Sequence, residues 1–129
     1  MHSKTTTMIP LTRALRIVVA DDEGDIRDYL EVLLPRLGHE VVGLAENGQQ
    51  LVTLCQREHP DLVITDVMMP ELDGLQADAK IAETLSVPII IVSAHEKPDI
   101  PENSLIVDYL VKPVTMTELS NAIDRVVKG

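Results

Sequence analysis

Five short apolar runs punctuate the chain: Ile17–Ala20, Val41–Ala45, Leu62–Thr65, Ile89–Val92 and Val107–Val111. They are rich in Val, Ile and Leu rather than alternating with polar residues, the pattern of strands covered on both faces. Between them lie stretches of helical period. Ile26, Leu30, Leu33, Leu34 and Leu37 share one face, and Pro35 is expected to kink or end that helix early. Leu51, Leu54 and Cys55 mark a second helix, and Leu75, Ala79, Ala82 and Leu85 a third. Leu119, Ala122, Ile123 and Val126 mark the last, which opens on Thr115 and Glu118 at capping-box spacing. Ala94 to Ser104, between the fourth and fifth runs, breaks the rhythm. It carries Pro98 and Pro101, so any helix there should be short or absent. Strands alternating with helices predict an α/β fold, a parallel sheet with helices on both faces.

The bulk properties narrow the function classes. At 129 residues the chain has room for one core, and 45% hydrophobic with 25% charged residues is the composition of a soluble globular domain. A net charge of -10 argues against direct nucleic-acid binding and against an anionic membrane surface. No apolar stretch approaches the ~20 residues of a membrane span. Met1 to Arg13 has no apolar signal-peptide block, which makes the cytoplasm the expected location. Residues 1–13 read as a flexible N-terminal extension to a domain over residues 14–129. The single Cys55 sits at helical spacing from Leu51 and reads as a packed core thiol. His2, His39, His59 and His95 lack ligand spacing, so zinc is not expected.

The chemistry lies at the ends of the runs. Asp21 and Asp22 follow the first and Asp66 follows the third, while Ser93 ends the fourth and Lys112-Pro113 follows the fifth. A doubly wound sheet binds ligands at the carboxyl ends of its strands. Three converging carboxylates raise one another's pKa unless a cation sits among them, and an all-oxygen donor set selects a hard ion such as Mg²⁺. Plainer readings exist for each residue alone. Asp21 and Asp22 are also suited to capping the helix that begins near Asp25. Ser93 could bond its own loop, Lys112 could be a solvated charge, and Tyr109 a half-buried strand aromatic.

Taken together, Asp21-Asp22-Glu23, Asp66-Val67-Met68-Met69-Pro70-Glu71-Leu72-Asp73-Gly74, Ser93-Ala94 and Lys112-Pro113, each at its own strand end, resemble the receiver domain of two-component response regulators. The resemblance covers roughly residues 14–129 and implies a flavodoxin-like five-stranded sheet of order 2-1-3-4-5. It implies that Asp66 accepts a phosphoryl group from a histidine kinase or histidine phosphotransfer protein. It assigns Mg²⁺ to the side chains of Asp22 and Asp66 and the carbonyl of Met68, with Asp21 assisting through water. Ser93 and Lys112 would contact phosphoryl oxygens, Ser93 and Tyr109 would form the switch, and Lys112-Pro113 would be cis. Gly74 would serve a tight turn into the third helix.

The chain departs from the pattern in its fourth helix, which is expected to be truncated or irregular, and in Gly24, where many relatives have a helix-starting proline. His95, two residues after Ser93, is placed to influence water at the site. A rival reading is a small Mg²⁺-dependent aspartyl-phosphate phosphohydrolase. Such enzymes carry an acid two residues after the nucleophile, where this chain has Met68. A flavodoxin-like cofactor binder fits worse, because Asp21-Asp22-Glu23 would repel a phosphate and only Tyr29 and Tyr109 could flank a flavin. The expected protein is therefore a phosphoacceptor module that turns over no external metabolite. It would signal to a downstream protein or fused output domain as a monomer or weak dimer, with stand-alone or phosphorelay use favoured.

Overall fold

The computed structural model describes residues 13–128. Its elements are β1 (Arg16–Ala20), α1 (Gly24–Arg36), β2 (Glu40–Ala45), α2 (Gly48–Glu58), β3 (Leu62–Thr65), α3 (Gly74–Ala82), β4 (Ile89–Ser93), β5 (Ile106–Val111) and α4 (Met116–Lys128). The five strands form one parallel sheet in the order β2-β1-β3-β4-β5, the flavodoxin-like order expected. The extension expected over residues 1–13 lies, apart from Arg13, outside the described residues.

The pleat splits the apolar runs into two cores. Ile17, Val19, Leu62, Ile64, Ile90 and Val92 face one side, where Leu30, Leu33 and Leu34 of α1 and Leu119, Ala122 and Ile123 of α4 cover them. Val18, Ala20, Val63, Ile89 and Ile91 face the other, against Leu51, Val52 and Cys55 of α2 and Ala77 and Ile81 of α3. Double burial explains why the central strands carry no polar alternation. The chain reverses its winding between β1 and β3, and the strands on either side of that crevice end at Ala20 and Thr65, which pair in register.

Helix ends follow their sequences. Thr115 and Glu118 form the expected capping box, the Glu118 amide donating to Thr115 Oγ1 at 3.1 Å and the Thr115 amide to Glu118 Oε1 at 2.9 Å. Asp73 and Gln76 make a second box that opens α3. Pro35 does not cut α1 short: it sits in the last turn and the helix runs on to Arg36. A missing amide there leaves only one carbonyl a turn earlier without its donor, and the early stop is corrected accordingly.

Two features of the third helix differ from expectation. Its buried face is Ala77, Asp78 and Ile81 rather than Leu75, Ala79, Ala82 and Leu85, because Asp78 occupies a core-facing position with a charge. Gly74 answers a close approach rather than a tight turn. A Cβ there would lie 2.4 Å from the carbonyl oxygen of Asp66.

No helix forms between β4 and β5. The connection is tied down instead by Asp78, whose Oδ2 accepts from Ser104 Oγ at 2.6 Å and whose Oδ1 accepts from the Leu105 amide at 3.0 Å. Ser104 Oγ in turn accepts from the Ile106 amide. A buried carboxylate thus finds its donors in the segment that the prolines keep from being helical. β5 is left at the sheet edge with Val107 and Val111 each more than half exposed.

Candidate functional site

The carboxyl edge of the sheet gathers the acids. Ladder bonds carry β1 and β3 one residue past their ends: the Asp66 amide donates to the Ala20 carbonyl and the Asp21 amide to the Ala45 carbonyl, both at 3.0 Å. Asp21 and Asp66 therefore emerge side by side, both buried, with Asp22 exposed beside them. One oxygen from each of Asp21, Asp22 and Asp66 lies within 4.8 Å of the others. Neither Asp21 nor Asp22 is the N-cap of α1. That position is Glu23, which makes no side-chain cap bond.

Lys112 reaches into this cluster from the end of β5. Its Nζ lies 2.8 Å from Asp66 Oδ2, 2.9 Å from Asp21 Oδ2 and 2.9 Å from Glu23 Oε1. The remaining oxygens are held by backbone. Asp66 Oδ1 accepts from the Val67 and Met68 amides at 2.6 and 3.2 Å, and Asp21 Oδ1 accepts from the Glu23 amide at 2.9 Å. The bond from Lys112 to Pro113 is cis.

One ammonium does not balance so many acids. Burial pushes the Asp21 carboxyl above its ordinary value, and the nearby Asp66 charge adds to this. Bonds from Lys112 and the Glu23 amide offset only part of it. Burial alone would lower the Lys112 ammonium, but hydrogen bonds to Asp66, Asp21 and Glu23 hold it well above the usual lysine value. The two shifts agree: a shared, strongly held lysine still leaves Asp21 under-compensated. A hard cation would relieve that, and the all-oxygen donor set of Asp21, Asp22 and Asp66 fits Mg²⁺.

Ser93 and Tyr109 meet through a third residue. Ser93 Oγ, fully buried at the end of β4, accepts from the His95 amide at 3.2 Å, and the Tyr109 hydroxyl donates to the His95 carbonyl. The Lys112 amide bonds the Ser93 carbonyl at 2.9 Å, which seats β5 against β4 beside the acids. Met68 presents an exposed side chain at the rim.

The site lies in one domain of known type. A model of the response regulator receiver domain matches residues 17–124. The chain belongs to the response regulator receiver domain family. The transcriptional regulatory protein PdtaR of Mycobacterium tuberculosis is 39% identical over 115 residues, covering 87% of this chain and 56% of the relative. This receiver thus spans little more than half of that protein. Among solved structures, the NarL signal receiver domain of M. tuberculosis superposes with a TM-score of 0.81 at 31% identity, covering 91% of this chain and 98% of the other. A receiver domain protein from Clostridium thermocellum gives a TM-score of 0.75 at 30% identity, covering 88% of this chain and 94% of the other.

Sequence reasoning missed three residues. Glu23 was read only as part of an acidic run, yet it is the third partner of Lys112. Arg27, one helical turn later, donates to the Asp21 carbonyl at 2.7 Å and steadies the β1–α1 connection. Asp78 had a visible signal, a lone acid in an apolar stretch of helix, but its donors lie 26 and 27 residues away and no local pattern names them.

Proposed function

We propose that this receiver takes a phosphoryl group from a phosphohistidine of a kinase or phosphotransfer protein onto Asp66, with Mg²⁺ as cofactor. The observation that carries this is Lys112 Nζ within 2.9 Å of both Asp21 and Asp66 at the crevice where the sheet reverses. Asp66 Oδ1 is engaged by two backbone amides, leaving Oδ2 as the nucleophile. An O–P bond forms at Oδ2 as the N–P bond breaks, and the donor imidazole leaves with the bonding pair. Lys112 exchanges a carboxylate partner for a phosphoryl oxygen, and Ser93 turns its hydroxyl from the His95 amide to another. The side chains of Asp21, Asp22 and Asp66 with the Met68 carbonyl would hold Mg²⁺. Bound there, the ion supplies charge compensation and open coordination positions for phosphoryl oxygens. Loss of Ser93 from His95 frees the carbonyl contact of Tyr109, which shifts the population of the β5 surface. Water attack at phosphorus later restores Asp66 and releases phosphate, so no external metabolite is turned over.

Partners follow from the chemistry: a phosphohistidine donor and a downstream protein or output domain. The charge disfavours direct nucleic-acid contact by the receiver itself. No described helix is long and apolar enough to cross a membrane, and we place the protein in the cytoplasm, where the donors act.

Intact-mass spectrometry after incubation with Mg²⁺ and acetyl phosphate tests the reading. One phosphoryl group should add to the wild type, and none to Asp66→Asn or to a sample held in EDTA. A wild type that stays unlabelled while folded overturns it, as does label that persists in Asp66→Asn.

A further inference from the structure

Glu23 stands at the N-cap of α1, where Ser, Thr, Asp and Asn are favoured, and its side chain makes no cap bond. Its Oε1 instead accepts from Lys112 Nζ at 2.9 Å. Asp66 Oδ2 and Asp21 Oδ2 lie 2.8 and 2.9 Å from the same nitrogen. An ammonium has three N–H donors, so these three carboxylates leave none for a phosphoryl oxygen. The two aspartates are buried and held by backbone amides, whereas the Glu23 side chain is 62% exposed. The Glu23 amide donates to Asp21 Oδ1, so its backbone is fixed and only its carboxylate is free to leave. Arg27, a second cation beside the acids, is committed to the Asp21 carbonyl. A phosphodonor must therefore win Lys112 from Glu23.

Building on the phosphoacceptor reading above, we propose that Glu23 selects among phosphodonors by their charge. Its carboxylate occupies one donor of Lys112 and repels an incoming anion, so donors carrying less negative charge are favoured. The oxygens that fit Mg²⁺ are those of Asp21, Asp22 and Asp66. Glu23 lies outside that set, so a bound ion would compensate the aspartates first and leave Glu23 charged once Lys112 turns away. Repulsion of this kind scales with the charge on the donor and is screened by salt. Both dependences separate it from a merely structural effect of the side chain.

The test compares wild type with Glu23→Gln, which keeps an oxygen acceptor for Lys112 and removes the charge, at saturating Mg²⁺ and pH 7. Two donors are used: acetyl phosphate, a dianion, and phosphoramidate, which carries less negative charge. The second-order rate of Asp66 labelling by acetyl phosphate should rise about fivefold in the variant, the upper range for an exposed ion pair. With phosphoramidate the rise should be only about twofold. In ~0.5 M salt both differences should shrink, because a Debye length of about 4 Å screens the exposed carboxylate. Inorganic phosphate, titrated against the NMR signal of the Lys112 side chain, should also bind more tightly to the variant. Equal or slower labelling of the variant overturns the role of Glu23 while the phosphoacceptor reading stands. So does equal phosphate affinity, or a rise that is the same for both donors and indifferent to salt. Absence of label from both proteins with both donors overturns that reading, and the role of Glu23 with it.

Discussion

Removing the Lys112 ammonium isolates the electrostatics of the site. In Lys112→Met the alkyl stem is largely kept while Asp21 and Asp66, with side chains 2% and 6% exposed, lose their common counter-ion. Breaking a buried pair by deleting one partner costs about 3–5 kcal/mol. Glu23 adds little to this, because its side chain is 62% exposed and such pairs are worth about 0–1 kcal/mol. Against a domain stability of about 5–15 kcal/mol the loss is large, and it should lower Tm by roughly 10–20 °C. The loss should also depend on pH. Asp21 is already raised in the wild type by burial, and without Lys112 it rises further. A carboxyl whose folded pKa exceeds its unfolded value binds more protons when folded, so stability falls as pH climbs from the unfolded value through the folded one. Lys112→Met should therefore be closest to wild type near pH 4–5 and furthest from it near pH 8. Urea melts at both pH values, each with and without Mg²⁺, measure this. Mg²⁺ should restore more stability to the variant than it adds to wild type. A loss below ~1 kcal/mol, or an equal loss at both pH values, refutes the argument that buried like charges govern this site.

Other perturbations probe the frame. Gly74→Ala drives a Cβ toward the Asp66 carbonyl and should cost about 3 kcal/mol, read as a lower midpoint of urea unfolding, because backbone rather than a mobile side chain is in the way. The His39 ring accepts from the Leu15 amide at 3.0 Å through Nδ1, and burial lowers its pKa against a smaller opposing pull from Asp124. The folded state then binds fewer protons than the unfolded one. Stability should drop as pH falls from about 6.5, and His39→Gln should flatten that slope in melts between pH 7 and 5. Burial pushes the Cys55 thiol up to about 12, so a thiol reagent at pH 8 should label it only at the rate of unfolding. Fast labelling of the native protein would place it outside the core.

Strand positions were legible because both faces of the central strands are buried, which leaves long Val and Ile runs with no competing reading. The missing helix was legible for a covalent reason: Pro98 and Pro101 remove donors and restrict the residues before them. The site residues could be nominated because each follows its own apolar run, and strand register then brings Asp21, Asp22, Asp66 and Lys112 together. The third helix was misread because periodicity counts only apolar residues. Asp78 broke the count while occupying a core-facing position, paid for by Ser104 and Leu105 from a distant segment. Glu23 went unassigned for a related reason, since a run of acids does not say which of them a lysine from another strand will choose.

The unequal tethers of Lys112 bear on how the site can switch. Two of its partners are buried carboxylates fixed by backbone amides, and the third, Glu23, is exposed and unfixed. A new anion at Asp66 Oδ2 would compete first for the weakest of these contacts, at a cost of about 0–1 kcal/mol. The two strong contacts keep Nζ within reach while that exchange occurs. The Lys112 amide, bonded to the Ser93 carbonyl, keeps the backbone of β5 still. Side chains can then change partners at the carboxyl edge without moving the sheet. Under the proposed function the change would pass through contacts that each have a side chain at one end: Ser93 Oγ on the His95 amide and the Tyr109 hydroxyl on the His95 carbonyl. At the far end of that connection Asp78 holds Ser104 and Leu105 by bonds that do not involve the acids. The proposed switch therefore predicts that rearrangement centres on the segment between His95 and Ser104 and on Tyr109, which amide exchange with and without acetyl phosphate would measure.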